Sequence, residues 1–419
     1  MWRNVKLKDL CSKIGSGATP KGGKEAYHEE GISLIRSQNI LDFTFSKDGL
    51  AFIDETQAKQ LSNVEVQQED ILLNITGDSV ARVCQVPNNV LPARVNQHVA
   101  IIRPLKDRLN PEYLKYYLLN PPFKNYMLGL ASSGATRNAL TKVMIEDFDI
   151  ALPDLPTQTR IAEILSSLDD KIELNRRMNQ TLEAIAQTLF KEWFVNFNFP
   201  GFNGELVDGL PKGWQMYELG DVSTLIAGGD KPKNFSSQLN EEFKVPIYSN
   251  GITNEGLYGY TDLPRIYEES VTVSARGTIG YVCLRMHPYV PIVRLIAIIP
   301  HKKLLSSKYL YLWLKNQNIS GTGTTQQQLT VPDFKSTKIL IPEIEIIKQF
   351  TAITNSIFEQ IYANQHESLT LNQLRDSLLP KLMRGELLVP QAVELVEETL
   401  SLVAEPPSAY GDLPLFRPS

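Results

Sequence analysis

The sequence predicts an α+β protein made of two copies of one mixed-sheet domain with glycine-rich loops, each copy followed by a long helix. Three observations carry that expectation: a long internal repeat, short β-type apolar runs broken by glycine-rich loops in both copies, and two stretches with coiled-coil periodicity. The repeat comes first because it sets the frame for everything else. WRNVKLKDLCSKIGSGATP (2–20) lies over WQMYELGDVSTLIAGGDKP (214–232) at an offset of 212, pairing Trp2 with Trp214 and Pro20 with Pro232. The offset shrinks along the chain: 212 at Ile35-Arg36-Ser37, 200 at Gly77, 197 at Ala100-Ile101-Ile102, 196 at Tyr113, and 189 where SGATRNALT (133–141) meets TGTTQQQLT (322–330). Two copies have diverged by small deletions.

Within the copies, ISLI (32–35), DILLNI (70–75), HVAII (98–102), SVTVSA (270–275) and RLIAII (294–299) read as strands, and PEYLKYYLLN and SKYLYLWLKN as short helices. Ile161, Leu165, Leu168, Ile172, Leu182, Leu189 and Trp193 fall on a coiled-coil seam, and Phe350, Ile357, Ile361, Leu371, Leu378 and Leu382 repeat its phase at 189. The first helix, expected over 161–196, would be about 54 Å long at about 1.5 Å per residue, which suits a spacer. The expected layout is a domain at 1–155, a spacer helix in 156–200, a second domain at 201–344, a second helix in 345–388 and an acidic tail at 389–419.

The chain has 419 residues and a net charge of −5, which at first argues against nucleic acid. The acids Glu386, Glu394, Glu397, Glu398, Glu405 and Asp412 against Arg417 account for that whole excess, so residues 1–385 are neutral and can hold a basic groove. Three scattered cysteines, Cys11, Cys84 and Cys283, exclude a disulfide framework or zinc cage. No run approaches the roughly 18 apolar residues of a membrane span, and no signal peptide is evident, so a cytoplasmic location is expected.

Enzyme motifs are sparse. Asn120-Pro121-Pro122-Phe123 matches the NPPF tetrapeptide of adenine-N6 methyltransferases, but it follows YLKYYLL at helical spacing and reads better as a helix stop. There is no G-x-x-x-x-G-K-S/T loop and no H-E-x-x-H, and the histidines His28, His98, His287, His301 and His366 are dispersed, so no catalytic residue and no metal ligand is assigned. Cys84 and Cys283 occupy matching strands and are expected to be buried.

The chain resembles the specificity subunits of type I restriction-modification systems over nearly its whole length. SGATP and GGDKP, SGAT and TGTT, the LP or IP pair before each helix, and the helix ends AQTLFKEWFVNF (186–197) and RDSLLPKLMRGEL (375–387) carry the resemblance. It implies two target-recognition domains held apart by an antiparallel helical pair, each reading one half of a bipartite, asymmetric double-stranded DNA site. It also implies a non-catalytic chain around which two methyltransferase subunits and, in the full complex, restriction subunits assemble. S-adenosylmethionine, ATP and Mg would then serve the partners only. One departure is that Gln158 sits five residues after Pro153, whereas Gln349 sits seven after Pro342. A coiled-coil scaffold without DNA reading is the alternative, with the methyltransferase reading behind it.

Loops rich in small polar and basic residues suit phosphate and base-edge contacts. In copy one the expected DNA contacts are Thr19, Lys21, Arg36, Gln38, Asn39, Thr76, Arg82, Asn96, Gln97, Arg137 and Asn138. In copy two they are Lys231, Lys233, Ser249, Asn250, Arg276, Arg294, Thr324, Thr325, Gln326 and Gln327, with Gln97 matched to Arg294. Trp193, Phe194 and Phe197, with Leu379 and Leu382, are expected either to pack internally or to dock a partner. Asn175 and Asn364 hold equivalent mid-seam positions and are expected to meet and fix the helix register.

Overall fold

The computed structural model describes residues 2–133, 138–319 and 328–404. It divides into two compact units: residues up to Asn175 with those from His366 onward, and Arg176–Gln365. Each unit therefore holds one copy of the repeat and half of each long helix.

In the first unit Cys11–Ser16, Val99–Pro104, Ile71–Asn74 and Val83–Gln85 form an antiparallel four-stranded sheet in that spatial order. A second sheet orders Ala51–Ile53, Ile32–Ile35, Ala93–Val95 and Glu65–Val66, with Ile32–Ile35 and Ala93–Val95 parallel. The second unit repeats this. Ser223–Ala227, Ile296–Pro300, Ser270–Val273 and Val282–Arg285 make the four-stranded sheet, and Leu257–Thr261, Val245–Tyr248 and Val290–Pro291 the smaller mixed one. The ribbon of Arg3–Lys6 with Asp149–Leu152 recurs as Gln215–Glu218 with Lys338–Ile341.

Sheet register corrects the sequence alignment in two places. Pro104 and Pro300 are both last in their strands, and Leu105 N–H bonds Leu10 O as His301 N–H bonds Val222 O, so this strand repeats at 196, not at the 197 suggested by the shared Ala-Ile-Ile. Ile35 pairs with Val95 as Tyr248 pairs with Pro291, an offset of 213 rather than 212 in the earlier strand. A one-residue slip turns every side chain to the other face, so hydrogen bonding and not residue identity decides the match. Gln97 therefore corresponds to Val293, and Arg294 to His98.

The long helices span Leu155–Phe194 and Ile344–Arg384. The first opens with Thr157 N–H on the Asp154 carboxylate (3.0 Å), and the second closes on left-handed Gly385, with Glu386 N–H bonded to Lys381 O. Within the first unit they pair antiparallel: Arg375 bonds Asp169 at 2.7 Å, while Asn175 donates to Glu367 at 2.7 Å and to Ser368 at 3.3 Å. Within the second unit Asn364 donates to Asn179 (2.8 Å), and the Phe190 and Phe350 rings lie 6.2 Å apart, in the same antiparallel sense. Ile161, Leu165, Leu168, Leu371, Leu378 and Leu382 are buried in the first unit's core, and Trp193 and Phe350 in the second's. Asn175 and Asn364 are also buried.

Both long helices start two residues after their proline, and the two glutamines differ in what they hold; helix one is tied down by Gln158. It is buried, accepts from Asn110 N–H, and donates to Arg108 O and Pro153 O, tying the helix to the cap of Pro111–Leu119. In copy two that link passes to Thr351, which donates to the cap residue Ser306 at 2.7 Å, and Gln349 is exposed. Asn120 ends Pro111–Leu119, as expected of a helix stop, and its two prolines open a further helix, Pro121–Ser132. Cys84 and Cys283 are buried, and burial pushes their thiols up, to about 12 and about 11. No helix among the described residues is long and apolar enough to cross a membrane.

Candidate nucleic-acid interface

Five loops of copy one converge where the two sheets meet. Gly17 N–H bonds Val99 O and Ala18 N–H bonds Val95 O, seating the glycine-rich loop on the strand turn at 96–98. Glycine is needed there, because a Cβ on Gly17 would stand 2.0 Å from Val95 O. Copy two uses the same device: Gly228 N–H bonds Leu295 O, and a Cβ would stand 2.9 Å from the Ile292 backbone. The chain of contacts continues from Thr19 to Gln97, from Gln97 to His98 (3.1 Å), and from His98 to Thr76 (2.6 Å). Thr76 bridges Ala139, and Gly77 N–H bonds Asn138 O. Asn74, buried, donates to Ser37 O and brings in the 36–39 loop.

Among the residues expected to touch DNA in copy one, Thr19, Lys21, Gln38, Gln97 and Asn138 are exposed, and Arg36, Thr76, Arg82 and Asn96 half-buried. Arg36 donates through Nη2 to Gly49 O, and its Nε is buried without a partner. Asn39 is fully buried; its side chain accepts from Arg36 N–H and donates to Ser46 O and Asp48 O, so it shapes the loop from within. Arg137 lies outside the described residues.

Copy two gathers the equivalent loops. Asn250 donates to Val293 O (2.5 Å) and accepts from Ala275 N–H (2.9 Å), joining three of them, and Ser249 beside it is half-buried. Leu329 N–H bonds Ala275 O, as Leu140 N–H bonds Ile75 O in copy one. Arg276 clasps Gln328 Oε1 with Nε (3.1 Å) and Nη2 (2.7 Å). Lys231, Lys233, Arg276 and Arg294 are all exposed, giving this edge a basic face. Lys231 sits 3.6 Å from the centre of the exposed Phe235 ring, with Tyr258 behind it. Thr324, Thr325, Gln326 and Gln327 lie outside the described residues.

Sequence reasoning missed His98, Asn74, Phe235, Tyr258 and Val293. Lys231 so close to aromatic residues was a legible signal for the first ring. Val293 was hidden by the misplaced offset, which set Arg294 opposite Gln97.

The residues expected at the end of helix one pack inward. Phe194 lies 4.8 Å from Tyr309 and 4.9 Å from Phe350, Trp193 is 5.7 Å from Phe350, and Phe197 meets Trp214 edge-on at 5.5 Å. Leu379 and Leu382 are buried in the other unit's core. Of the five, only Phe197 is partly exposed, so the internal-packing reading accounts for the rest.

The repeated pair of sheets presents matched but chemically different loops, and the family comparison falls on the same two stretches. Residues 1–184 and 211–371 match the type I restriction modification DNA specificity domain. The chain belongs to that family. It is 28% identical to the type I restriction enzyme MjaIX specificity subunit of Methanocaldococcus jannaschii, over 93% of this chain and 94% of that one. It is also 28% identical to the HindI specificity subunit of Haemophilus influenzae, over 92% and 99%. The crystal structure of the type I restriction-modification system S subunit from M. genitalium shares the fold, with a TM-score of 0.56 at 15% identity, covering 91% of this chain and 96% of that one. A specificity subunit is the DNA-recognising, non-catalytic component of its system, which agrees with NPPF lying at a junction of two helices.

Proposed function

We propose that this specificity subunit reads a bipartite, asymmetric DNA site, one tract per copy, and seats two methyltransferase subunits, with restriction subunits joining in the full complex. The observation that supports two readers is the recurrence of the same five-loop edge in both units with different tips: Thr76 against Arg276, Gln97 against Val293, His98 against Arg294. Exposed Lys21, Gln38, Gln97 and Asn138 in copy one, and Lys231, Lys233, Arg276 and Arg294 in copy two, are placed for phosphates and base edges. Arg137 and the 324–327 run remain in the proposed contact set by sequence. Asn39 and Asn250 serve by holding neighbouring loops in place.

The antiparallel helices would set the distance between readers, to match tracts about one or more helical turns, roughly 34 Å each, apart. Asn175 and Asn364, both buried and hydrogen-bonded across the seam, would fix its register. The chain itself takes no cofactor; S-adenosylmethionine, ATP and Mg belong to the partners, and the complex works in the cytoplasm.

Co-expression with a type I methyltransferase subunit tests this. The pair should co-purify, and binding to random duplexes should enrich a two-part motif. Co-purification with no sequence preference would support the scaffold alternative instead.

A further inference from the structure

We infer that Val293 reads the methyl group of a thymine, so that the tract read by copy two carries an A·T pair at the position under this side chain. The inference rests on the DNA-reading proposal above and names the base chemistry of one of its contacts.

Val293 and Arg294 are consecutive residues with left-handed backbones, φ 51° and 60°, whereas their counterparts Gln97 and His98 are not left-handed. A β-branched residue is a poor choice there on steric grounds, and glycine or asparagine would fold more easily. The conformation is nonetheless fixed on three sides. Val293 N–H bonds Gly229 O at 2.9 Å, Arg294 N–H bonds Gly228 O at 3.2 Å, and Asn250 donates to Val293 O at 2.5 Å. The result is an apolar side chain left 55% exposed, giving up the burial that normally justifies a valine. Neither local conformation nor core packing accounts for it, and strain held this firmly is characteristic of functional sites.

Its surroundings select the ligand. The adjacent Arg294 and the residues of the neighbouring loops, Asn250, Lys231 and Arg276, are polar or basic and suit a DNA groove, so Val293 is an exposed apolar side chain with polar and basic neighbours. On the major-groove edge of DNA the thymine C5 methyl is the matching apolar point. The corresponding side chain in copy one, Gln97, is an amide able to pair with adenine, so the two copies would read different chemistry from the same place in the fold.

The test uses the chain reconstituted with its methyltransferase subunit, after the recognised sequence has been mapped and the tract altered by Arg294→Ala identified as that of copy two. Each thymine of that tract is replaced singly by deoxyuridine, which removes only the methyl. One replacement should weaken binding about fourfold, the worth of burying one methyl-sized group. Val293→Gly should abolish that difference while leaving the thermal unfolding midpoint unchanged or raised, since glycine relieves the left-handed strain. A tract without thymine, equal binding of thymine and uracil throughout it, or discrimination that survives in Val293→Gly would each overturn the inference. A complex that prefers no base at any position of either tract would overturn the underlying reading as well, and differs from those results by its uniformity.

Discussion

Arg375 offers the sharpest test of how the helix pair is held in the first unit. Its guanidinium bonds Asp169 on the facing helix at 2.7 Å, bonds Asp376 at 2.8 Å, and stacks 3.7 Å from the centre of the Phe43 ring, which belongs to the segment following the 36–39 loop. Tyr116 donates to the same Asp169 at 2.6 Å. The Arg375 and Asp169 side chains are only 9% and 15% exposed, so the pair lies largely out of water. Breaking a buried pair by removing one partner costs about 3–5 kcal/mol. Asp169 would keep Tyr116 and some solvent, so Arg375→Ala should fall at the lower end, about 3 kcal/mol, including about 1 kcal/mol from the lost ring contact. Asp376 is 60% exposed, and Asp376→Ala should cost less than about 1 kcal/mol. Urea unfolding of the two variants beside wild type measures the contrast. Equal stabilities for Arg375→Ala and Asp376→Ala would mean that the Asp169 pair is solvated and weak, contrary to this expectation.

Gln158→Ala should destabilise by about 2–3 kcal/mol by stranding Asn110 N–H, Arg108 O and Pro153 O, while Gln349→Ala should stay within about 0.5 kcal/mol; thermal melts of both check the different roles of the two glutamines. Burial pushes the Glu183 carboxyl up, but hydrogen bonds from Lys315 and Tyr311 outweigh it and hold the group below its ordinary value of 4.5. Its contribution is therefore complete above about pH 4.5 and lost as pH falls through the lower folded value, so stability measured down an acid series should decline less steeply in Glu183→Gln than in wild type. Burial, with Arg285 nearby, lowers His287 to about 4 from 6.5, so the folded state resists a proton that the unfolded chain accepts. Stability should fall from pH 6.5 towards pH 4, and the same titration on His287→Gln should show a shallower slope. Gly17→Ala should displace the 17–21 loop, because its Cβ meets a backbone oxygen, and weaken DNA binding by the reconstituted complex in a gel-shift at least tenfold.

Much of this architecture could be read from the chain because repetition exposes it twice. Ile32–Ile35 is the strand that ISLI announced, and the seam residues of both long helices pack on the cores where their periodicity placed them, except half-buried Leu182, which joins neither core. The failures have physical causes. Ala-Ile-Ile recurs in both copies, but the strand pairs through its backbone, so a shared tripeptide misplaced the register by one and concealed Val293. Asn39 has the composition of a DNA contact, yet its amide satisfies carbonyls inside its own loop, and side-chain direction is not written in residue type. The aromatic residues ending helix one fit a docking surface equally well until Tyr309, Phe350 and Trp214, distant in sequence, close around them.

In the proposed function two readers act independently on two tracts. Mapping adenine methylation by the reconstituted methyltransferase complex, for wild type, Gln97→Ala and Arg294→Ala, tests it directly. Each substitution should relax or shift the sequence of one tract and leave the other unchanged, with the two variants affecting opposite tracts. If either substitution altered base preference equally in both tracts, the two-reader architecture would be contradicted, and the duplication would have to serve assembly alone.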